Sequence, residues 1–589
     1  MTRPYLSTGN PLGENQYNKY TSGSNQLNGS FFADVDFTSW LKFNATSTVT
    51  WGQTNISDFG NMYYGTPAQT GGNIAKTSTS SIRTNHLQTL TYYDTYGNHN
   101  INVMLGHEYY NSQSKNLYAH AYGMFSPEIP EIGAAATKDD ADSSMSEYNV
   151  EGYFLSAQYD YAGKYYASAS IRRDASSYFA KENRWGNFWS VGAAWILSKE
   201  AFLSDALWID MLKLKASIGQ QGNDSVGSFA YVDMYQITSS SATTMTPTFW
   251  RKGNPNLTWE TTTNFNVGVE FSFWHGRLTG NIDVYNKKTS DLLFWVSIPE
   301  SSGSRGMYDN VGDVRNYGVE LSLQGALIRT KNVDWTISMN VSHNSTKILS
   351  LPESKIDPAL GGYYEAPYFY KVGGPMYNYY CAEYAGVDQY GQAMFYMDQT
   401  DSETGKVVRG TTYDFNAATL YEHGSILPKV FGGFGTTLRV ANFDMSFMFD
   451  YQLGGKVFDG YYQSVVTPAS SSNSAGQTIH KDWIKSWSVN NTSSDMPRWQ
   501  YGDMYGGAES DRFLTNASYL NFQSFTVGYT LPMKTFGNKL KMRIYVAGEN
   551  LCYWSARKGL DPRYSFDGNS SVIPYSPIRT VSGGIQLTF

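Results

Sequence analysis

The chain has 589 residues, a net charge of -7, 16% charged and 16% aromatic residues, with 47 Tyr, 15 Trp and 55 Gly. Charged residues fall well below the roughly 25% of ordinary soluble proteins, and the mild acidity excludes a nucleic-acid partner, which needs clustered Lys and Arg. No stretch approaches the ~18 apolar residues of a membrane-spanning helix, whereas a mean hydropathy of -0.42 leaves room for a membrane barrel, in which only every second residue must be apolar.

The opening MTRPYLSTGNPLGENQYNKY has no basic start followed by an apolar stretch, so no export signal is read there. Either the protein stays in the cytoplasm or the chain lacks its true beginning. Alternation of apolar and polar residues predicts strands near 31–38, 40–52, 81–95, 98–111, 148–162, 164–175, 187–197 and 211–220. In GYFLSAQYDY the pattern has one exception, Phe154. In NFNVGVEFSF, Phe265, Val267, Val269, Phe271 and Phe273 share one face, with Asn264, Asn266, Gly268, Glu270 and Ser272 on the other. Further strands are predicted near 260–273, 276–289, 312–328, 332–345, 430–440, 442–453, 517–530, 539–549 and 577–589. Charges fall on the polar face, among them Asp160, Lys213, Lys215, Glu270, Asp283, Asp444 and Arg543. A soluble antiparallel sheet would show the same alternation.

Connection lengths discriminate. Joins at Ala162-Gly163, His275-Gly276 and Ala441 are tight, while 112–147, 221–259, 290–311, 346–429, 454–516 and 550–576 are long and polar. Short turns at one end and long loops at the other mark a membrane barrel, so the fold class is all-β, a transmembrane antiparallel β-barrel. A sandwich would show turn signals about every 8–12 residues. Within 346–429, YNYYCAEYAGVD is a candidate extra hairpin that would alter the count of seventeen strands. The last strand, GGIQLTF, places Ile585, Leu587 and Phe589 on one face. It resembles the assembly signal of outer-membrane barrels.

Catalytic signals are lacking. There is no phosphate loop followed by Lys-Ser/Thr, no paired-Cys zinc pattern and no His-Glu-x-x-His. SGSRG, from Ser302 to Gly306, has the wrong glycine spacing for a nucleophile elbow. The expectation is no enzyme, no cofactor and no metal site. Cys381 and Cys552 lie far apart, and spacing leaves their pairing open. Aromatics in the long joins are the candidate ligand contacts: Trp250, Trp295, Tyr308, Tyr363, Tyr364, Trp499 and Tyr501, with Trp483, Trp487 and Tyr505. They could stack on sugar rings or peptide side chains, or serve as interface girdle and loop packing.

An ordered set of motifs adds a resemblance. RRDASSYF, NRWGNFWSVGAAW, GNPNLTWE, DVYNKKTSDLL, NVGDVRNYGVEL, RFLTNASYLNFQSFTVGYTLP, GENLCYW and GLDPRY occur in that order. The chain resembles the SusC/RagA-type TonB-dependent transporters across about residues 148–589. That resemblance implies a barrel of about 22 strands, of which about seventeen are read here, filled in the complete protein by an N-terminal plug. It implies import of a large nutrient such as a glycan or peptide, driven by the TonB complex and covered by a SusD-like surface lipoprotein. It also implies an outer-membrane location, with membrane lipid as a partner.

Two departures stand out. The plug and the TonB-contacting segment have no counterpart, so residues 1–589 are expected to be a barrel domain lacking plug and first strands, unable to perform energised import alone. The calcium-like segment of some relatives is replaced by YDFNAATLYEHGSILP, where Asp414 and Asn416 precede Ala417 and Ala418. A hard cation needs several oxygen ligands, so no ion is expected there. The alternatives are a passive plug-less channel or surface-binding barrel, distinguished by conductance, and a soluble glycan-binding β protein, distinguished by monodispersity without detergent.

Overall fold

A computed structural model describes residues 11–241, 244–468, 479–532, 540–564 and 576–588. Among the described residues, seventeen strands belong to one antiparallel sheet. They begin with β1 (Lys19–Thr38), β2 (Leu41–Gly60), β3 (Asn73–Tyr96), β4 (His99–Met124), β5 (Ala135–Tyr161) and β6 (Tyr165–Ser176). Next come β7 (Trp185–Ile196), β8 (Ile209–Asn223), β9 (Glu260–Phe273), β10 (Leu278–Ser290), β11 (Asp313–Arg329) and β12 (Val333–Ser350). The series ends with β13 (Val430–Val440), β14 (Phe443–Leu453), β15 (Tyr519–Thr530), β16 (Lys541–Ser555) and β17 (Thr580–Thr588). Two compact units divide the chain: Met1–Gly192, Gly219–Thr262 and Asp291–Val311 form the first, and Ala193–Ile218, Thr263–Ser290 and Gly312–Phe589 the second.

In the first unit β1 to β6 pair in chain order. In the second, β10 to β17 do the same. The tight joins fall where the sequence places them. Ala162 and Gly163 turn with φ of 52° and 62°, and Ala441 with φ of 52°, a left-handed conformation that L-residues visit only singly.

Two expectations about the long joins are corrected. The join expected over 112–147 is mostly strand, because β4 continues to Met124 and β5 starts at Ala135, paired from Asn111 opposite Asn149 to Tyr122 opposite Thr137 with one register shift between His120 and Ala121. Beyond the apolar band both faces of this hairpin are wetted, so the sequence loses its alternation while the ladder persists. The segment YNYYCAEYAGVD is not a hairpin. Asn378–Ala382 belongs to a four-stranded sheet with Tyr363–Glu365, Tyr368–Tyr370 and Leu420–Ser425, whereas Tyr384–Val387 joins Ala393–Thr400 and Val407–Thr412. Tyr379 and Ala382 are buried in two separate small cores, which splits the segment between sheets.

The apolar faces are open. In the first unit Val35, Phe43, Leu90, Leu105, Leu155 and Ile171 lie in register on one face. In the second, Leu323, Met339, Phe434, Phe449 and Phe522 form such a row. Phe449 stacks on Phe434 and Phe522 at 5.0 and 4.7 Å. Val267 and Phe265 are exposed. Ile585 and Leu587 pair with Ile544 and Met542 and extend this face, while Phe589 lies outside the described residues.

The polar faces carry paired charges. Lys215 reaches Glu270 at 3.1 Å and Asp283 at 3.0 Å, and Lys213 reaches Glu270 at 3.2 Å. In the first unit Arg172 holds Glu108 at 2.9 Å and Asp174 at 2.8 Å. Its guanidinium also lies 5.4 Å from the ring centroid of Phe154, so the one apolar exception in that strand serves as a platform for a cation. Glycines leave room for these side chains. A Cβ on Gly268 would stand 2.3 Å from Asp283 Oδ1 and 2.6 Å from Lys215 Cε. Gly268→Ala is therefore expected to cost about 1–3 kcal/mol, as overpacking does, read from the urea unfolding midpoint in lipid vesicles.

Candidate functional site

Three of the seven candidate aromatics meet in the first unit. Trp250 ends the hairpin of Met234–Ser241 with Thr244–Arg251, and Trp295 and Tyr308 face each other across Leu293–Ser297 and Gly306–Asn310. The Trp295 and Tyr308 rings meet edge to face at 5.2 Å. Arg251 completes the group, with its guanidinium carbon 5.3 Å from the Trp250 ring and 5.8 Å from Tyr308. It donates to the Ser228 carbonyl at 3.1 Å. Its Nε is buried with no hydrogen-bond partner among the described residues. Trp250 stays 57% exposed, so one ring of this cation–aromatic cluster is open to a ligand.

The motif GNPNLTWE holds the cluster from beneath. Asn254 is buried and donates to the Tyr308 carbonyl at 3.1 Å and to Asp309 Oδ1 at 2.9 Å. Trp259 donates to the Arg184 carbonyl at 2.8 Å. Leu257 and Trp259 lie in a core with Phe179, Phe188, Val226 and Ala230. Asn310, from NVGDVRNYGVEL, accepts from the Thr258 amide at 2.8 Å. These residues fix the loops so that the aromatic positions are set before any ligand arrives.

The other candidates belong to the second unit and do not form one site. Tyr363 donates to Glu365 at 2.7 Å, stacks on Tyr370 at 5.8 Å and lies 4.5 Å beneath Lys355. Burial, then the bond to Glu365, raises the Tyr363 phenol pKa, and burial lowers that of Lys355. Tyr364 meets Tyr380 edge-on at 5.6 Å. Trp499 abuts Trp483 at 4.5 Å, and Trp483 is buried in a core with Tyr368, Tyr379, Phe458 and Phe513. Tyr501 is exposed. Asp414 caps the turn Phe415–Ala417 through the Asn416 amide and accepts the Tyr505 hydroxyl at 3.0 Å. Cys381 and Cys552 are both free thiols, and burial pushes the Cys381 pKa up to about 12.

Sequence reasoning missed two features. Arg251 follows Trp250 directly, so the basic residue beside the exposed aromatic was a usable signal. The other is a cavity of about 640 Å³ on the polar face of the second unit, lined by Lys215, Glu270, Asn281, Gln324, Ser338 and Asn340. Met211, Phe271 and Met448 line it as well, so it offers apolar contacts beside its amides, hydroxyl and paired charges.

Strands with an open apolar face, a charge-bearing polar face and long loops at one end are the construction of an outer-membrane β-barrel protein. The family model described as TonB dependent receptor-like, beta-barrel, matches residues 2–551, and the chain belongs to that family. The TonB-dependent receptor P3 of Formosa agariphila is 27% identical over 98% of this chain and 60% of its own. The TonB-dependent receptor SusC of Bacteroides thetaiotaomicron is 30% identical over 74% of this chain and 43% of its own. The structure of the RagAB peptide transporter aligns at a TM-score of 0.86 with 25% identity, covering 98% of this chain and 63% of that one. The chain thus spans about half the length of the curated relatives it matches. The family is one of receptors and transporters in the outer membrane, so the SusC/RagA resemblance read from the motifs stands.

Proposed function

We propose that this chain is the multi-pass barrel part of an importer that takes up a large nutrient, a glycan or peptide, across the outer membrane. In this reading TonB energises transport and a SusD-like lipoprotein works with the loops. The likeness to the RagAB peptide transporter along 98% of the chain supports it. The Trp250–Arg251–Tyr308–Trp295 cluster is the ligand contact in this reading. An aromatic face offers stacking to a sugar or a side chain, and the guanidinium offers charge to a carboxylate.

The function is tested in cells expressing the full-length parent, by uptake of labelled glycan and peptide pools with and without TonB. Uptake indifferent to TonB would reject energised import. For the contact, the double variant Trp250→Ala with Arg251→Gln is expected to weaken binding roughly tenfold, about 1.4 kcal/mol, while surface levels stay normal. Unchanged affinity, by calorimetry on the solubilised protein, would remove the cluster from the ligand path.

A further inference from the structure

The apolar row Val35–Phe43–Leu90–Leu105–Leu155–Ile171 has a sharp upper limit. Two residues further along each strand the row reads Ala33, Ala45, Gln88, His107, Tyr153 and Arg173. From β3 to β6 the apolar face therefore ends between these two rows. At the short-turn end it closes on Tyr96, His99, Tyr161 and Tyr165, again in register. Tyr153 and Tyr161 lie on the same strand, roughly 26 Å apart along it before tilt. That is of the order of the ~25 Å apolar band of an outer-membrane barrel. Both limits carry ring side chains, whose apolar body and polar tip suit the headgroup level.

Arg173 stands on the upper limit. Its guanidinium carbon lies 5.1 Å from the Trp185 ring centroid, and Trp185 stacks on Tyr153 at 6.3 Å. Among the described residues no carboxylate forms an ion pair with Arg173. Glu151, in the next row out, is engaged by the Tyr153 hydroxyl at 2.7 Å and by His107 at 3.3 Å. Asp174 and Glu108 are held by Arg172 on the opposite face. What remains is an exposed cation, braced by an indole, with Leu155 and Ile171 exposed just below it.

We propose that the Arg173 guanidinium, braced by the Trp185 ring that Tyr153 supports, binds the phosphate of a membrane lipid whose acyl chains lie along Leu155 and Ile171. The planar guanidinium matches phosphate geometry and stays charged at the interface, where a neutral headgroup offers it no counter-charge. The site rests on the reading of the apolar face as lipid-facing.

The test uses the full chain folded in mild detergent, with native mass spectrometry of bound phosphatidylglycerol against a glycosyl diacylglycerol of matched chains. The wild type is expected to retain the phosphate lipid with about a fivefold preference, the size expected of one basic residue beside an anionic headgroup. Arg173→Gln should abolish the preference and Arg173→Lys should restore part of it. Lys115→Gln, an exposed cation on the same face but further out on β4, should leave it unchanged. Equal retention of both lipids, or an unaltered preference in Arg173→Gln, overturns the proposal. Displacement of the lipid by millimolar inorganic phosphate reassigns the site to a free anion and also overturns it. Binding of neither lipid overturns both the site and the lipid-facing reading, whereas a failed preference alone leaves the latter standing.

Discussion

Val267→Arg is expected to destabilise the folded protein in lipid bilayers by roughly 2–4 kcal/mol, while Asn266→Arg, one residue away, costs much less. The two positions are neighbours on β9 and lie on its opposite faces. Val267 is exposed on the apolar face with Phe265. Asn266 shares the other face with Gly268 and Glu270, where Lys213 and Lys215 already place cations against carboxylates. An arginine there joins a wetted, charge-bearing wall. At Val267 it must stand in hydrocarbon or snorkel toward the boundary. Chemical denaturation of both variants in vesicles measures the difference. Equal stabilities would mean that the apolar face of β9 does not meet lipid, and the barrel reading of the sheet would fail with it.

The strand Glu260–Phe273 was legible to the residue because each of its faces has a single environment. The same holds for Val430–Val440, which ends at the left-handed Ala441. Legibility stops where the two environments become alike. Beyond Tyr109 and Asn149 the β4–β5 hairpin has water on both sides, and a run such as KDDADSSMSE loses all periodicity although it stays paired with β4 apart from one register shift at Asp139. Backbone hydrogen bonds hold that segment, and they leave no trace in residue type. The small sheets within 346–429 escape notice for a different reason. Their strands are three to eight residues long, too short to show a period, and their cores draw on distant segments such as Phe458, Trp483 and Phe513.

The candidate site divides along the same lines. Trp250, Trp295 and Tyr308 could be named as exposed aromatics of long joins, but their meeting depends on Asn254 bonding across to the second hairpin. Tyr363 and Trp483 carry the same composition signal and serve mainly their own cores and sheets. Aromatic content in a loop thus marks interface, core and ligand contact alike; the Arg251 group is set apart by the open Trp250 ring beside its guanidinium, together with the Tyr308 ring.

The loops themselves have an anchor that a single substitution should release. Asp459 is 3% exposed and accepts the Tyr462 amide at 3.0 Å, which caps the short helix Gly460–Val466. The same carboxylate takes the Arg557 Nε at 2.7 Å, and the Arg557 guanidinium lies 4.5 Å from the Tyr462 ring. The Asp459 amide donates to the Phe513 carbonyl at 2.9 Å, so the residue ties the helix to two distant segments. Asp459→Ala removes the cap, worth about 1 kcal/mol, and strands the guanidinium beside a core that holds Phe458, Val466 and Phe513. Breaking a largely buried ion pair from one side costs about 3–5 kcal/mol. Asp459→Asn keeps an oxygen for the cap and should lose less. The expected result is faster proteolysis and hydrogen exchange across 456–516 in Asp459→Ala, with the strands β10 to β14 as well protected as before. Protection unchanged in that segment, or lost equally in the strands, would show that Asp459 is not the local anchor and that the loops are held by their aromatic core alone.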